Sequence, residues 1–241
     1  MSSSPSSPAL PPGYSRLRVV HSFDELVTTR FTDGVNALCW QRTLLGNFTE
    51  VVDHLAANEE DIATLEDDRL KALPLSREGS LAVDTLLQDL HSLRSAGLAP
   101  VLDCIHRYPR DEEGGPVPTD VYSFHADSAT VETDTYLCSY TEAASEGLRN
   151  EEAQRYVDIP AIRAELLKRF GGEDNGEFVE YLKDHCYDLH YAALPLARPF
   201  SFGLGNLWRI AVDYPGSPVP PCVHRAPATV PGRPPRLLLI S

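Results

Sequence analysis

Two residues of types that bind metals stand two positions apart in VYSFHADS: His125 and Asp127. A second histidine, His224, lies 99 residues downstream in PPCVHRAP, and Arg236 follows twelve positions later in PRLLLIS. Imidazole nitrogens and a carboxylate oxygen are donors that hold a divalent first-row metal. A guanidinium is planar and grips a carboxylate through two parallel hydrogen bonds. The order His-x-Asp, His, Arg is therefore that of a mononuclear metal site followed by a clamp for an organic acid.

The elements that must position these groups are strands. Side chains at i and i+2 of a strand share a face, so a strand supported by Val121, Tyr122 and Phe124 brings His125 and Asp127 together. Two ligands so close need a third from elsewhere, and His224 can supply it from a neighbouring strand. Two histidines and one carboxylate on one face of an octahedron form the facial triad of non-haem Fe(II) oxygenases, with three positions left open for co-substrate and dioxygen. RLLLI reads as a buried strand. The Pro-rich stretch APATVPGRPP reads as the turn between it and the strand carrying His224. An antiparallel pair of those two strands is expected to set Arg236 beside the metal. There it would hold the remote carboxylate of 2-oxoglutarate while the keto-acid end chelates Fe(II).

The order His125-Ala126-Asp127, His224, Arg236 resembles the Fe(II)/2-oxoglutarate-dependent dioxygenase superfamily. The phrases FHAD, CVHRAP and RLLLIS also look like one bacterial branch of it, the DUF1826 family. The resemblance covers about Thr119 to Ser241. It implies an α+β protein with a double-stranded β-helix (jelly-roll, cupin-like) core. It further implies Fe(II) held by His125, Asp127 and His224, and 2-oxoglutarate as co-substrate anchored by Arg236. An Asp at 127, in place of Gly or Ala, argues against a halogenase.

Each residue has a plainer reading. His125 and Asp127 could be a surface pair, and Arg236 could lead the last strand and meet an acid. Arg225 should face away from the metal and serve a structural salt bridge. Arg233 sits in the turn; Arg209, in NLWRIAVDY, is the main rival clamp. Cys222 shares a face with His224 and could ligate, although a small core residue is the ordinary role of such a cysteine. His185, Cys186 and His190 cluster at a helix end, but a spacing of five does not stack two histidines on one helical face; they read as core or surface. Trp208 reads as core, with a place in the pocket wall as the alternative.

Composition narrows the class. A net charge of −14 argues against nucleic acid, which selects basic patches, and against anionic membranes. No apolar run approaches the ~20 residues of a spanning helix. MSSSPSSPALPPG lacks the basic and apolar regions of a signal peptide and reads as a disordered Ser/Pro tail over 1–15. Five scattered cysteines then suggest reduced thiols in a cytoplasm. No feature of the sequence selects an oligomeric state. There is no G-x-S-x-G elbow, phosphate loop or G-x-G-x-x-G.

Residues 16–241 read as one domain, with N-terminal helices and a helical insert about 145–190 that should shape the substrate side of the pocket. LRVVHSFDELV and GVNALCWQRTL look like short strands joined by a turn at Thr32-Asp33-Gly34. Apolar spacing predicts helices over 43–57 and 81–96, the second with Ser80 as N-cap and Gly97 as its stop. Further strands are expected at PVLDCIHRY, at 133–142, and through NLWRIAVDY, PCVHRA and RLLLIS. On 133–142, either Tyr136, Cys138 and Tyr140 or Leu137, Ser139 and Thr141 face the co-substrate. Helices are expected over 159–170, capped by Asp158, and over 176–188. The expected activity is an oxygenase acting on a small molecule. Its rivals are a cupin-like Fe-dependent oxygenase without 2-oxoglutarate and a non-enzymatic jelly-roll binding module.

Overall fold

RLLLI is apolar on both faces, so a strand built from it must be covered twice. The computed structural model supplies both covers. It describes residues 10–55, 60–111, 114–229 and 232–241; most of the Ser/Pro-rich tail, residues 1–9, lies outside the described residues. In chain order the strands are β1 (Leu17–Val20), β2 (Ala37–Trp40), β3 (Ile62–Thr64), β4 (Val101–Ile105), β5 (Phe124–His125), β6 (Asp134–Ser139), β7 (Glu146–Leu148), β8 (Ala153–Arg155), β9 (His190–Ala193), β10 (Phe200–Ser201), β11 (Leu207–Ala211), β12 (Val223–Arg225) and β13 (Arg236–Ile240). The helices are α1 (Phe23–Thr28), α2 (Phe48–Leu55), α3 (Asp67–Lys71), α4 (Arg77–Ser95), α5 (Pro160–Phe170) and α6 (Gly176–Asp184).

The strands form two sheets. The larger runs β1-β2-β11-β6-β13-β4-β3 and the smaller β10-β7-β12-β5-β9-β8. All pairs are antiparallel except β1 with β2. Strand parity sorts the large sheet's side chains between two cores. Leu237, Leu239, Cys104, Tyr136 and Cys138 pack with Val51, Leu86, Leu90 and Leu93 of the helices. Leu238, Ile105, Leu137, Trp208 and Ile210 face the other way and pack with Phe200, Phe202 and Cys222. The protein is thus α+β, a two-sheet sandwich with α2 and α4 on the outer face of the large sheet. Each fully buried leucine in that layer contributes about 2 kcal/mol. A buried ion pair ties layer to sheet: Arg42 holds both Asp89 oxygens at 2.6 and 2.8 Å, and Tyr140 donates to the same carboxylate.

Several expected elements move. The end of LRVVHSFDELV is helix α1, because Ser22 accepts the Glu25 amide as an N-cap. A parallel pair also cannot be closed by a tight turn. Helix α2 starts at Phe48, not 43. Gly46 sits at φ 106°, where a Cβ would lie 2.4 Å from the Ala82 backbone nitrogen. Helix α4 is capped by Ser76, four residues ahead of Ser80, and Glu50 binds Ser76 from α2. Helix α5 starts behind Ile159, with no side-chain cap from Asp158, and stops at Gly171, φ 74°. Helix α6 ends at Asp184. The insert's α-helices are α5 and α6, with 3-10 turns at Asn150–Glu152, Tyr156–Asp158 and Tyr187–Leu189, and 146–155 adds β7 and β8 to the small sheet.

The expected hairpin between the His224 and Arg236 strands does not form. β12 pairs with β5 and β7 in the small sheet, whereas β13 pairs with β4 and β6 in the large one. The intervening Pro-rich stretch crosses between sheets, so Arg236 approaches from the opposite wall of the sandwich.

Candidate metal centre

Three adjacent strands of the small sheet place a row of histidines on its inner face. His125 is the direct partner of His224 on one side and of His190 on the other. Directly paired residues of an antiparallel ladder point to the same face. The alternate residues Phe124, Val223 and Leu148 form a separate apolar cluster on the outer face.

The rings of His125 and His224 are fixed in the same way. Nδ1 of His125 lies 2.8 Å from the Ser123 carbonyl, and Nδ1 of His224 lies 3.3 Å from the Cys222 carbonyl. A carbonyl only accepts, so each Nδ1 carries the proton and each Nε2 presents a bare lone pair. Both Nε2 atoms lie 3.8 Å from the same oxygen, Oδ1 of Asp127. One donor atom from each of the three residues falls within 4.8 Å of the others. Two neutral imidazoles and a carboxylate, all with open donor atoms, fit a divalent cation.

Asp127 is not on a strand. β5 ends at His125, and Val121 and Tyr122 lie in a turn rather than extending it. The next residues instead bond across to the end of β11: the Asp213 amide donates to the Asp127 carbonyl at 2.7 Å, and the Ala129 amide donates to the Asp213 carbonyl at 2.8 Å. The Asp127 side chain is held from the large sheet, where the Thr135 hydroxyl donates to Oδ2 at 2.6 Å. Burial raises the Asp127 pKa. The facing His224, the Thr135 hydrogen bond and His125 outweigh it and hold the carboxyl below its usual range. Burial, then the neighbouring His224, pushes the His125 imidazole down to about 4.

Arg236 is 6% exposed. Its parity on β13 matches Leu238 and Ile240, so it points between the sheets. It donates to Tyr108 Oη at 3.0 Å, Ser139 Oγ at 2.8 Å and Ser145 Oγ at 2.7 Å, and its Nε has no partner. No carboxylate among the described residues pairs with it. Burial lowers its pKa, with the Tyr108 hydroxyl opposing. Ser145 lies two residues before Gly147, and Gly147 is the ladder partner of His224. Arg236 also lines a cavity of about 200 Å³ with His106, Tyr108, Thr229 and Arg233; the triad does not line it.

The rival residues are otherwise occupied. Arg209 binds Asp134 and three carbonyls at the end of α1. Arg225 turns away from the triad to Glu146 at 2.6 Å, and Arg233 reaches Glu142 at 3.8 Å. Burial pushes the Cys222 thiol up to about 12, and it packs in the core. Trp208 is core, stacked on Phe202 at 4.2 Å. Of the two faces of β6, the one with Thr135, Leu137 and Ser139 meets the site; Tyr136 and Cys138 face the helices.

Four contributors were not legible beforehand. His190 follows the 3-10 turn Tyr187–Leu189 and opens β9. Its Nδ1 lies 2.7 Å from Ser123 Oγ, while the Ser123 carbonyl holds His125. Burial pushes His190 down to about 4. Thr135, Ser145 and Tyr108 act through contacts between sheets or loops, for which no spacing gives a signal. Among the described residues no helix is long and apolar enough to cross a membrane. No protein-family model, curated protein or solved structure matches this chain.

Proposed function

We propose that this chain is a non-haem Fe(II)- and 2-oxoglutarate-dependent oxygenase that oxidises a small molecule. One observation carries the reading: His125 and His224 are ladder partners whose free Nε2 atoms face the same oxygen of Asp127. That is a facial donor set with one side open. When bound, Fe(II) with 2-oxoglutarate supplies the oxidising chemistry. The chain's part is to hold and to orient. His125, His224 and Asp127 hold the metal. Arg236, buried with no carboxylate partner among the described residues, is an uncompensated cation there, and an isolated buried charge is costly. The remote carboxylate of 2-oxoglutarate supplies the missing anion, with Ser139, Ser145 and Tyr108 orienting the guanidinium. Phe202 and Trp208 wall the site on the His224 side and exclude water.

A jelly-roll reading of the sandwich is supported by the order in which the chain visits the sheets. The inner strands β4-β13-β6-β11 face β5-β12-β7-β10. Along the chain, successive inner strands change sheet at each step except from β7 to β10. That path agrees with two Greek keys, the connectivity a jelly roll would have. Five unpaired cysteines support a reducing compartment such as the cytoplasm.

The test is anaerobic addition of Fe(II) and 2-oxoglutarate, which should give a weak visible charge-transfer band, and succinate formation in air. Metal-replete protein with neither signal rules out the co-substrate. A second reading keeps the metal and gives Arg236 to a substrate carboxylate, as in a cupin-like oxygenase. It is favoured by the cavity at Arg236, whose lining omits the triad. Oxygen uptake without consumption of 2-oxoglutarate would select it.

A further inference from the structure

We propose that Thr135 is a positioning residue that makes Asp127 a one-oxygen ligand and so keeps a metal position free for a chelating 2-oxo acid. The inference rests on the metal reading above and concerns a residue outside the triad.

Asp127 is anchored at two levels. Its main chain is pinned by the Asp213 amide at 2.7 Å, which leaves rotation of the carboxylate as its remaining freedom. Thr135 removes that freedom. Its hydroxyl donates to Oδ2 at 2.6 Å, while Oδ1 lies 3.8 Å from both imidazole Nε2 atoms. The donor belongs to the opposite sheet. Thr135 lies on β6, paired with Ile210 of β11, and is 9% exposed. A β-branched side chain so packed has few rotamers available, and its hydroxyl has no other hydrogen-bond partner among the described residues. Offering both oxygens to one cation would set the metal in competition with this charge-assisted hydrogen bond for the electron density of Oδ2, in a buried site where such bonds are strong.

The consequence is chemical. A carboxylate that binds through two oxygens occupies one coordination position more than a carboxylate that binds through one. A 2-oxo acid chelating through its carboxylate and keto oxygens needs two, and dioxygen needs another. Thr135 thus protects the vacancy on which the proposed reaction depends. The same strand carries Ser139 four residues further on the same face, bonded to Arg236 at 2.8 Å. At about 3.3 Å per residue, β6 sets the metal carboxylate and the clamp roughly 13 Å apart at their Cα anchors.

The test compares wild type, Thr135→Val and Thr135→Ser. Fe(II) affinity is titrated anaerobically, followed by 2-oxoglutarate affinity from the charge-transfer band, with circular dichroism as the check on folding. Outer ligand partners are worth about 10- to 100-fold in metal affinity. Thr135→Val should weaken Fe(II) binding by at least about 10-fold and weaken 2-oxoglutarate binding to the metal-loaded protein; Thr135→Ser should restore both. A second readout needs no variant to fold. In infrared difference spectra of wild type with ¹³C-labelled aspartate, Fe(II) binding should produce the wide carboxylate splitting of one-oxygen ligation. The narrow splitting of two-oxygen ligation overturns the inference, as does a folded Thr135→Val with wild-type affinities or a Thr135→Ser that rescues neither. Wild type that takes up no Fe(II) overturns the metal reading itself, and this inference with it.

Discussion

His125 and His224 are direct partners across β5 and β12, and each gives its Nδ1 proton to the carbonyl two residues earlier in its own chain segment. The repeated contact sets both rings in the same tautomer, with centroids 4.6 Å apart and both Nε2 atoms towards Asp127. Asp127→Ala removes the shared oxygen. It should weaken Fe(II) or Co(II) binding by more than about 100-fold, beyond the usual effect of an outer partner. Metal analysis after desalting checks this, and full occupancy in the variant means the triad is misassigned.

Arg236 is the buried cation of the site. Arg236→Ala should raise the 2-oxoglutarate needed for half-maximal succinate formation by about 10- to 100-fold, the worth of hydrogen bonds to a charged group. Metal affinity should hold. Ligand that binds the folded state alone also stabilises it, so 2-oxoglutarate should raise the melting temperature of metal-loaded wild type and not of the variant. An equal rise in both proteins would remove Arg236 from the binding site.

Acid should destabilise the metal-free protein. Burial holds His125 and His190 down to about 4, whereas unfolded imidazoles take up a proton near pH 6.5. Between those values the unfolded chain binds more protons, so stability rises with pH. It is fully present above about pH 6.5 and is lost progressively towards pH 4. The loss is on the order of 3 kcal/mol per histidine at most. Urea unfolding of chelator-treated protein at pH 7, 6 and 5 measures it. His190→Gln should flatten the dependence; an unchanged slope would falsify the assignment to His190.

Gly147 faces His224 across the ladder, and its hydrogen gives room to two aromatic rings. A Cβ there would lie 2.4 Å from Phe200 and 2.7 Å from Phe202. Gly147→Ala should cost about 1 to 3 kcal/mol by overpacking and shift Phe202 off the His224 ring, which it overlies at 6.4 Å. Denaturant unfolding and metal titration together test this. A variant with wild-type stability would show that the rings have somewhere else to go.

Stability and site should separate at Asp89. Its pairing with Arg42 lies on the helix side of the large sheet. Asp89→Ala leaves the guanidinium buried and unpaired and should cost about 3 to 5 kcal/mol. Once the protein is folded, Fe(II) affinity should be unchanged. A parallel loss of metal binding would couple the helical layer to the site.

Much of the strand content was legible from local pattern. β4, β6, β11 and β12 fall on the segments read as strands, β13 falls on the apolar run RLLLI, and the stops at Gly97 and Gly171 follow from glycine's access to positive φ. Starts were less legible. Ser76 and Ser80 are both good caps, and Glu50, distant in sequence, selects Ser76. The strand through VYSFHADS was expected to run on to Asp127, but Asp213 draws the chain to the other sheet after His125.

Donor identity and strand parity are local properties, so the sequence by itself determined that His125, Asp127 and His224 are ligand types and that Arg236 shares the face of Leu238 and Ile240; it did not determine that Asp127 would meet the two histidines. Which strands become neighbours depends on the path of the whole chain. Tertiary structure alone decided that His190 joins the row, that Thr135 grips the Asp127 carboxylate, and that Arg236 comes from the facing sheet. Ladder partners and sheet-to-sheet contacts join residues from eight positions apart, as at Thr135 and Asp127, to more than a hundred, as at Arg236 and Tyr108, and nothing in a local pattern records them.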